Sequence, residues 1–434
     1  MTRPHSHFGV RGLLLLAALA LGLSSLSTRA AGLAWLLVLV AGIAAWLARE
    51  PQSPAAASAP GHLPAPALKA AQWWLLACLA AFVLMAIPTA HWGEPWPERH
   101  PQWRLLLGAL GIWLLSRHGR FCALSWPALA SGGAVALMSA WGLVVFSGAD
   151  AAPTNRIPWM AGLSLLSCAL LVLSYQLKTA PRGLRRWWWL ASALTLSTVL
   201  LSGVRGSWGL LLVWPLAWMG LQRLDQGLWN WTPRRVVLLL LGLLLLTALG
   251  DQAIPDKDRL STRLALIAQE AGIDKASPGL QANSSVGIRL VIYQAGLSQV
   301  TSQPSWLGLG QAEHKRFLRA TVQAVAPEMV DVIGHYHNDW LNPWAEFGLF
   351  GLMGYLSLLV GMALVAWDTR REDALALKVG ALSVLAMHLS TGMSNANFAH
   401  NYYPVLLSLA MGLMLIGERH AVIDLSGSRQ QTTG

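Results

Sequence analysis

The sequence predicts an all-α polytopic membrane protein, and three observations carry that prediction. Hydrophobic residues make up 55% of the chain and charged residues 12%, about half the charged share of an ordinary soluble domain, which leaves too little polar surface for a water-facing globule. The apolar residues fall into runs of roughly 15 to 25, the length that crosses about 30 Å of hydrocarbon as a helix. Lys and Arg concentrate in alternate breaks between the runs, as positive-inside topology requires.

Taken in order, about twelve spans follow. They lie near 10–26, 30–48, 70–90, 104–117, 122–147, 158–177, 187–203, 208–222, 236–250, 346–367, 378–394 and 403–417. The Pro/Ala stretch 51–70 reads as a flexible loop before the third span. "RRWWWL" at 185–190 opens the seventh, its rings suited to the headgroup level where aromatic belts anchor helix ends. With the N-terminus inside, the cytoplasmic segments hold eighteen of the 31 Lys and Arg residues, and both termini are cytoplasmic. The short outer segments hold Arg29, Arg99, Arg104, Arg156 and Arg205. The net charge of +11 is therefore a topology signal rather than a nucleic-acid footprint. Cys78, Cys122 and Cys168 all fall within spans, which argues for packing and against a disulfide framework or a metal set.

The chain divides into residues 1–250 with spans 1 to 9, an outer segment 251–345, and residues 346–434 with spans 10 to 12 and a short tail. The outer segment is too long for a connector and too short to hold a core alone, so it must lean on the spans. Within it, 256–272 has the spacing of an amphipathic helix, 284–300 of a second helix, and 304–320 of a glycine-rich turn feeding a basic third one.

Ionisable residues at the outer ends of spans are functional candidates, because lipid penalises them. In "GHYHNDWLNPWAEFGLFG", His335 and His337 flank Tyr336 and precede Asn338 and Asp339. Histidine takes and returns a proton near neutral pH. Asn342 is expected to cap the following span with Pro343 in its first turn, and Gly348, Gly351 and Gly354 to form a smooth contact face. A spacing of two separates side-chain directions on a helix, so His335 and His337 are not expected to form a metal pair. In "LLSGVRGSWG", Arg205 stands in a tiny outer turn between glycines, and in "SSVGIRLVIYQ", Arg289 interrupts an apolar helix. Two such guanidinium forks can clamp a diphosphate. Lys315, Arg316 and Arg319 form a basic run suited to a solvated face, an anionic lipid or an acidic acceptor.

These residues resemble the O-antigen ligase and polymerase superfamily of bacterial envelope glycosyltransferases. His337, Asn338, nine residues, Gly348, two residues and Gly351 fit the ligases' pattern, and "SGVRGSW", Arg289 and "SWLGLGQ" stand in the family's order. The resemblance implies a GT-C-type architecture in the bacterial inner membrane, with the large helical periplasmic segment between spans 9 and 10. It implies metal-independent, inverting transfer of a glycan from undecaprenyl diphosphate to the outer core of lipid A-core, without a cofactor. His337 would be the general base and Arg205 and Arg289 the diphosphate ligands, supported by Asn338, His335 and Glu346. The polymerase acting on the same carrier is the alternative, but no Arg of the outer segment is followed by Gly eleven positions later. A protein O-oligosaccharyltransferase also shares His337, Asn338, Leu341 and Glu346, yet such enzymes extend further past the motif. A polar-lipid transporter would place ionisable groups near the bilayer midplane.

Overall fold

The computed structural model describes residues 5–23, 27–48, 66–94, 102–117, 156–177, 180–202, 204–223, 285–331, 333–367 and 375–431, with a few isolated helical positions between them. Among the described residues the chain is helical: α1 (His5–Gly22), α2 (Thr28–Leu47), α3 (Pro66–His91), α4 (Gln102–Arg117), α5 (Arg156–Gln176), α6 (Arg182–Ser202), α7 (Leu210–Gln222), α8 (Ser285–Ser302), α9 (Gly310–Val325), α10 (Leu341–Trp367), α11 (Leu375–Gly392) and α12 (Tyr402–Gln431). A 3-10 turn, Arg205–Gly209, joins α6 to α7. Five helices among the described residues, α2, α3, α5, α10 and α11, are long and apolar enough to cross a membrane, and Gly12–Gly22 and Tyr402–Ile416 are shorter apolar helices. The expected spans near 122–147 and 236–250, and the amphipathic helix at 256–272, lie outside the described residues.

α5 is the central post, with 94% of its apolar window buried against α6, α11 and α12. Small hydroxyl residues allow this: the Ser167 hydroxyl lies 2.9 Å from the Ser192 carbonyl of α6, and Ser192 returns a bond of 2.7 Å to the Ser167 carbonyl. α10 lies along α3, where Gly354 faces Met85 and Ala81, and Gly361 faces Ala77. The tryptophan cluster departs from the expected belt. Trp188 and Trp189 are buried and only Trp187 faces outward. The Trp189 ring meets Trp214 of α7 at 5.3 Å.

The outer segment leans on the spans as expected. α9 buries Gly310, His314, Leu318 and Val322, one stripe every four residues, and α8 contributes Ile288, Ile292 and Val300 to the same small core. That core closes over Tyr336, Leu341 and Ala345 at the start of α10.

The start of α10 differs from expectation. Asn338, not Asn342, caps it, its Oδ1 accepting the Trp340 and Leu341 amides at 3.0 Å each. The Asn342 side chain instead accepts the Tyr336 amide at 3.2 Å and donates to Glu346. The three glycines also divide their work. Gly348 has φ 66 and ψ −152, so α10 is broken there rather than smooth. The turn 305–309 lies across the break, with the Leu349 amide donating to the Ser305 carbonyl at 2.9 Å and the Phe350 amide to the Trp306 carbonyl at 3.2 Å. Gly351 packs against Pro343 across the same break, and only Gly354 serves the helix contact.

Candidate functional site

Several described segments that the charge pattern assigns outside meet one another or the ends of α11 and α12. The Trp92 indole donates to the Leu307 carbonyl at 3.0 Å, the Glu94 carboxylate accepts the Gln311 amide, and Arg104 donates to Asn401. The hydroxyl of Ser390, near the end of α11, donates to the Gly206 carbonyl at 3.1 Å, which seats the Arg205 turn there.

Residues 335–340 form an extended loop, and His337 is the one non-glycine with positive φ among the described residues, at 51°. Such backbone costs on the order of 1 to 3 kcal/mol and persists only where its surroundings hold it. Here the Tyr293 hydroxyl of α8 lies 2.8 Å from the His337 carbonyl and 2.8 Å from the Met393 carbonyl. The His337 amide donates to Nδ1 of His335 at 3.1 Å, which fixes His335 with its proton on Nε2.

Because the stretch is a loop, the expected divergence of His335 and His337 does not occur: their rings stand 4.3 Å apart, and His400 meets His335 at 5.7 Å. Burial, then the Arg289 cation, pushes His337 down to about 4, against a hydrogen bond to the Asn395 side chain. Burial and the neighbouring His337, His400, His314 and Arg289 hold His335 well below its ordinary value. Burial alone lowers His400. Near neutral pH the cluster is therefore a set of uncharged imidazoles, with His337 a free proton acceptor in the field of a guanidinium.

The structure thus brings His335, His337 and Arg289 together, while the Arg205 turn is seated on the end of α11 through Ser390. Asn338 acts as the helix cap beside His337. Glu346 is buried at the second turn of α10. It lines a cavity of about 410 Å³ together with His335, His314, Lys315, Gln102 and Asn401. The cavity opens on the His335 side of the loop, and neither His337 nor the two arginines line it. The basic run on α9 divides: Lys315 lines the cavity, Arg316 pairs with Glu313 at 3.2 Å in solvent, and Arg319 is exposed.

Sequence reasoning missed one loop. "GMSNANFAHN", 392–401, between α11 and α12, supplies Asn395 to His337, His400 to His335, and Asn397 with the Phe398 amide to Asp339. Its three asparagines and a histidine at the outer end of two spans were the available signal.

The fold and site define a helical membrane protein with a histidine and arginine centre at one end of its spans. Residues 190–356 match the family model described as O-antigen ligase, running from α6 through the Arg205 turn, Arg289 and the His337 loop into α10. This match supports membership of the O-antigen ligase superfamily. No curated protein matches the chain.

Proposed function

We propose that this protein is an O-antigen ligase of the bacterial inner membrane, with its site on the periplasmic side, transferring a glycan from undecaprenyl diphosphate to an outer-core sugar of lipid A-core. The observation that carries this reading is the uncharged His337 imidazole held in the field of Arg289, where outer ends of the spans meet. His337 takes the proton of the acceptor hydroxyl as its oxygen bonds to the anomeric carbon. The bond from that carbon to the diphosphate oxygen breaks from the opposite side, which inverts the centre, and the electron pair leaves with the lipid diphosphate. Arg205 and Arg289 receive that charge, so the transfer requires no divalent ion. Preorganised donors in a site shielded from water contribute several kcal/mol to such a step. A positioned base adds on the order of 10² to 10⁴ in rate. The cavity beside His335 is of a size and polarity to take sugar units of the acceptor, with Lys315 near its anionic groups.

The deciding experiment is the glycan profile of a deletion strain complemented with the wild type, His337→Ala or Arg289→Lys. A ligase predicts polymer retained on its lipid carrier and bare lipid A-core in the deletion and in both variants. A core bearing a single repeat would instead indicate the polymerase of the same superfamily, and an unglycosylated protein substrate would indicate the protein-directed enzyme.

A further inference from the structure

The cavity beside His335 is walled by the first turn of α4, by α9 and α10, and by the 392–401 loop. Gln102 of α4 is 5% exposed, yet its side-chain oxygen meets no donor among the described residues, and the Gln311 oxygen of α9 is buried in the same condition. A buried acceptor left unpaired is a cost to the fold that calls for a reason. Both residues line the cavity, and both stand on pinned backbone. The Gln311 amide donates to the Glu94 carboxylate, and Arg104, two residues after Gln102, donates to Asn401.

The remaining wall decides what fits. Glu346 of α10 puts a carboxylate there, its Oε2 taking the Asn342 side-chain amide at 3.4 Å, which disfavours an anion inside. His314, 1% exposed, is pulled down to about 4 by burial, against the Asn342 side chain, so near neutral pH it is an uncharged ring with one donor and one acceptor. Lys315 lines the cavity from an exposed position, so its charge belongs to the mouth. Phe398 offers an apolar surface to the C–H face of a ring. A hydroxyl both donates and accepts, so a sugar ring pairs with each of these groups, whereas a phosphate placed inside would face two amide oxygens and a carboxylate. The volume of about 410 Å³ lies within the range of small-ligand sites.

We propose that Gln102 and Gln311 are specificity-determining residues: their side-chain oxygens accept hydrogen bonds from two ring hydroxyls of the outer-core sugar seated in this cavity, so the enzyme selects an acceptor that carries those hydroxyls over one that lacks them. This rests on the reading of the protein as a ligase whose acceptor occupies the cavity. A site built to bond a substrate hydroxyl rejects the analogue without it far more strongly than an apolar pocket rejects a missing methylene, because its own buried polar groups are then left unpaired. The two glutamines come from the starts of two different helices, so together they fix the rotation of the ring as well as its presence.

The test uses full-length protein in proteoliposomes with lipid-linked glycan and either lipid A-core or a panel of acceptors, each lacking one hydroxyl of the terminal outer-core sugar. Gln102→Leu and Gln311→Leu keep the side-chain bulk and remove the amide. Each should raise the acceptor KM about 10- to 10²-fold with the donor KM unchanged. Thermal unfolding in detergent should stay at the wild-type temperature or rise, because no bond among the described residues uses these oxygens. On the wild type, one deoxy acceptor for each glutamine should lose a similar factor in kcat/KM, and that loss should vanish on the matching leucine variant. If both variants keep the wild-type acceptor KM, or if every deoxy acceptor loses equally on all backgrounds, the assignment is overturned; with His337→Ala inactive in the same assay, the ligase reading stands. A rise in the donor KM alone would put the lipid-linked glycan in the cavity and overturn it as well. Absence of transfer to lipid A-core by the wild type would remove the ligase reading and this inference with it. Should Gln102→Leu not fold, Gln311→Leu and its matching deoxy acceptor decide alone.

Discussion

Replacing Gly348 by Ala tests whether the break in α10, rather than smooth helix packing, is what the glycine motif supplies. At φ 66 and ψ −152 the residue sits in backbone space that is essentially confined to glycine, and a Cβ there costs about 1 to 3 kcal/mol in strain. The added carbon would also stand 2.6 Å from the carbonyl carbon of Trp306, against backbone that cannot swing aside. Gly308, which faces it with φ +69, would lie only 2.5 Å from the Glu346 oxygen if it too carried a Cβ, so neither side has room to give. Relief requires the 305–309 turn to lift, which forfeits the two amide bonds from Leu349 and Phe350, about 1 kcal/mol each. The expected cost is therefore about 3 to 5 kcal/mol of local stability, or roughly a 10² to 10⁴ rise in opening of this turn. Hydrogen exchange of the peptide covering 305–310 and of the 349–350 amides reads it directly, with transfer activity measured on the same sample. Gly334→Ala is the control, since nothing lies within 4 Å of a Cβ built there. Wild-type exchange and activity in Gly348→Ala would refute the strap as described.

Further outcomes follow from the same geometry. Asn338→Ala removes two capping bonds and should cost about 1 kcal/mol, while Asn338→Asp keeps the cap, a difference that thermal unfolding in detergent resolves. Lys315→Ala should raise the KM for lipid A-core several-fold, about 3 to 10 for loss of one ionic contact, with kcat unchanged; an effect on the donor KM alone would take Lys315 and its cavity out of acceptor binding. Stability should also peak between the histidine and aspartate titrations. His314, His335, His337 and His400 are all held below 6.5, so as pH falls from about 6.5 toward 4 the unfolded chain binds protons that the folded one refuses, and stability is lost. Asp339 acts in the opposite sense, its folded value being raised from 3.8 to about 8, so its contribution is lost as pH rises toward 8. Thermal unfolding against pH should show a maximum near 6.5, and Asp339→Asn should flatten the alkaline side; a monotonic profile would contradict the burial of these groups.

What the sequence made legible was governed by local chemistry. Apolar run length gave most of the described membrane helices, and helical periodicity gave α8 and α9 within a few residues of their ends. Cost also singled out Arg289 and His337 one by one, because an arginine in an apolar helix and a histidine at a span mouth each need a reason, but their proximity is visible only in the structure. What failed was conformation at single residues. Treating 335–339 as helix separated two imidazoles that the loop in fact brings edge to face, and assigning the cap to Asn342 overlooked that Asn338 bonds two amides. Periodicity is silent on a break such as Gly348, whose cause is the backbone of a turn forty residues earlier in the chain, at 305–309. Trp188 and Trp189 were misplaced for a related reason: a lipid-facing and a core-facing indole are alike in composition, and only the partners on α7 distinguish them.

The loop at 392–401 shows why a site of this kind is hard to find by motif. Its side chains make no chemistry by type, since asparagine neither titrates nor serves as a nucleophile, yet they pack against the histidine loop and hold Asp339. The same loop holds Phe398 and Asn397 on Asp339, so the His337 loop and the ends of α11 and α12 are one mechanical unit. The Arg205 turn is seated on that unit through Ser390. If His337 and Arg205 act as proposed, a change at the tip of α11 should therefore disturb both together. Ser390→Ala, which removes only the bond to the Gly206 carbonyl, tests this coupling: a fall in kcat for the wild-type enzyme that is absent on an Arg205→Ala background would show that α11 acts through the Arg205 turn, whereas equal effects on both backgrounds would leave the turn and the base independent.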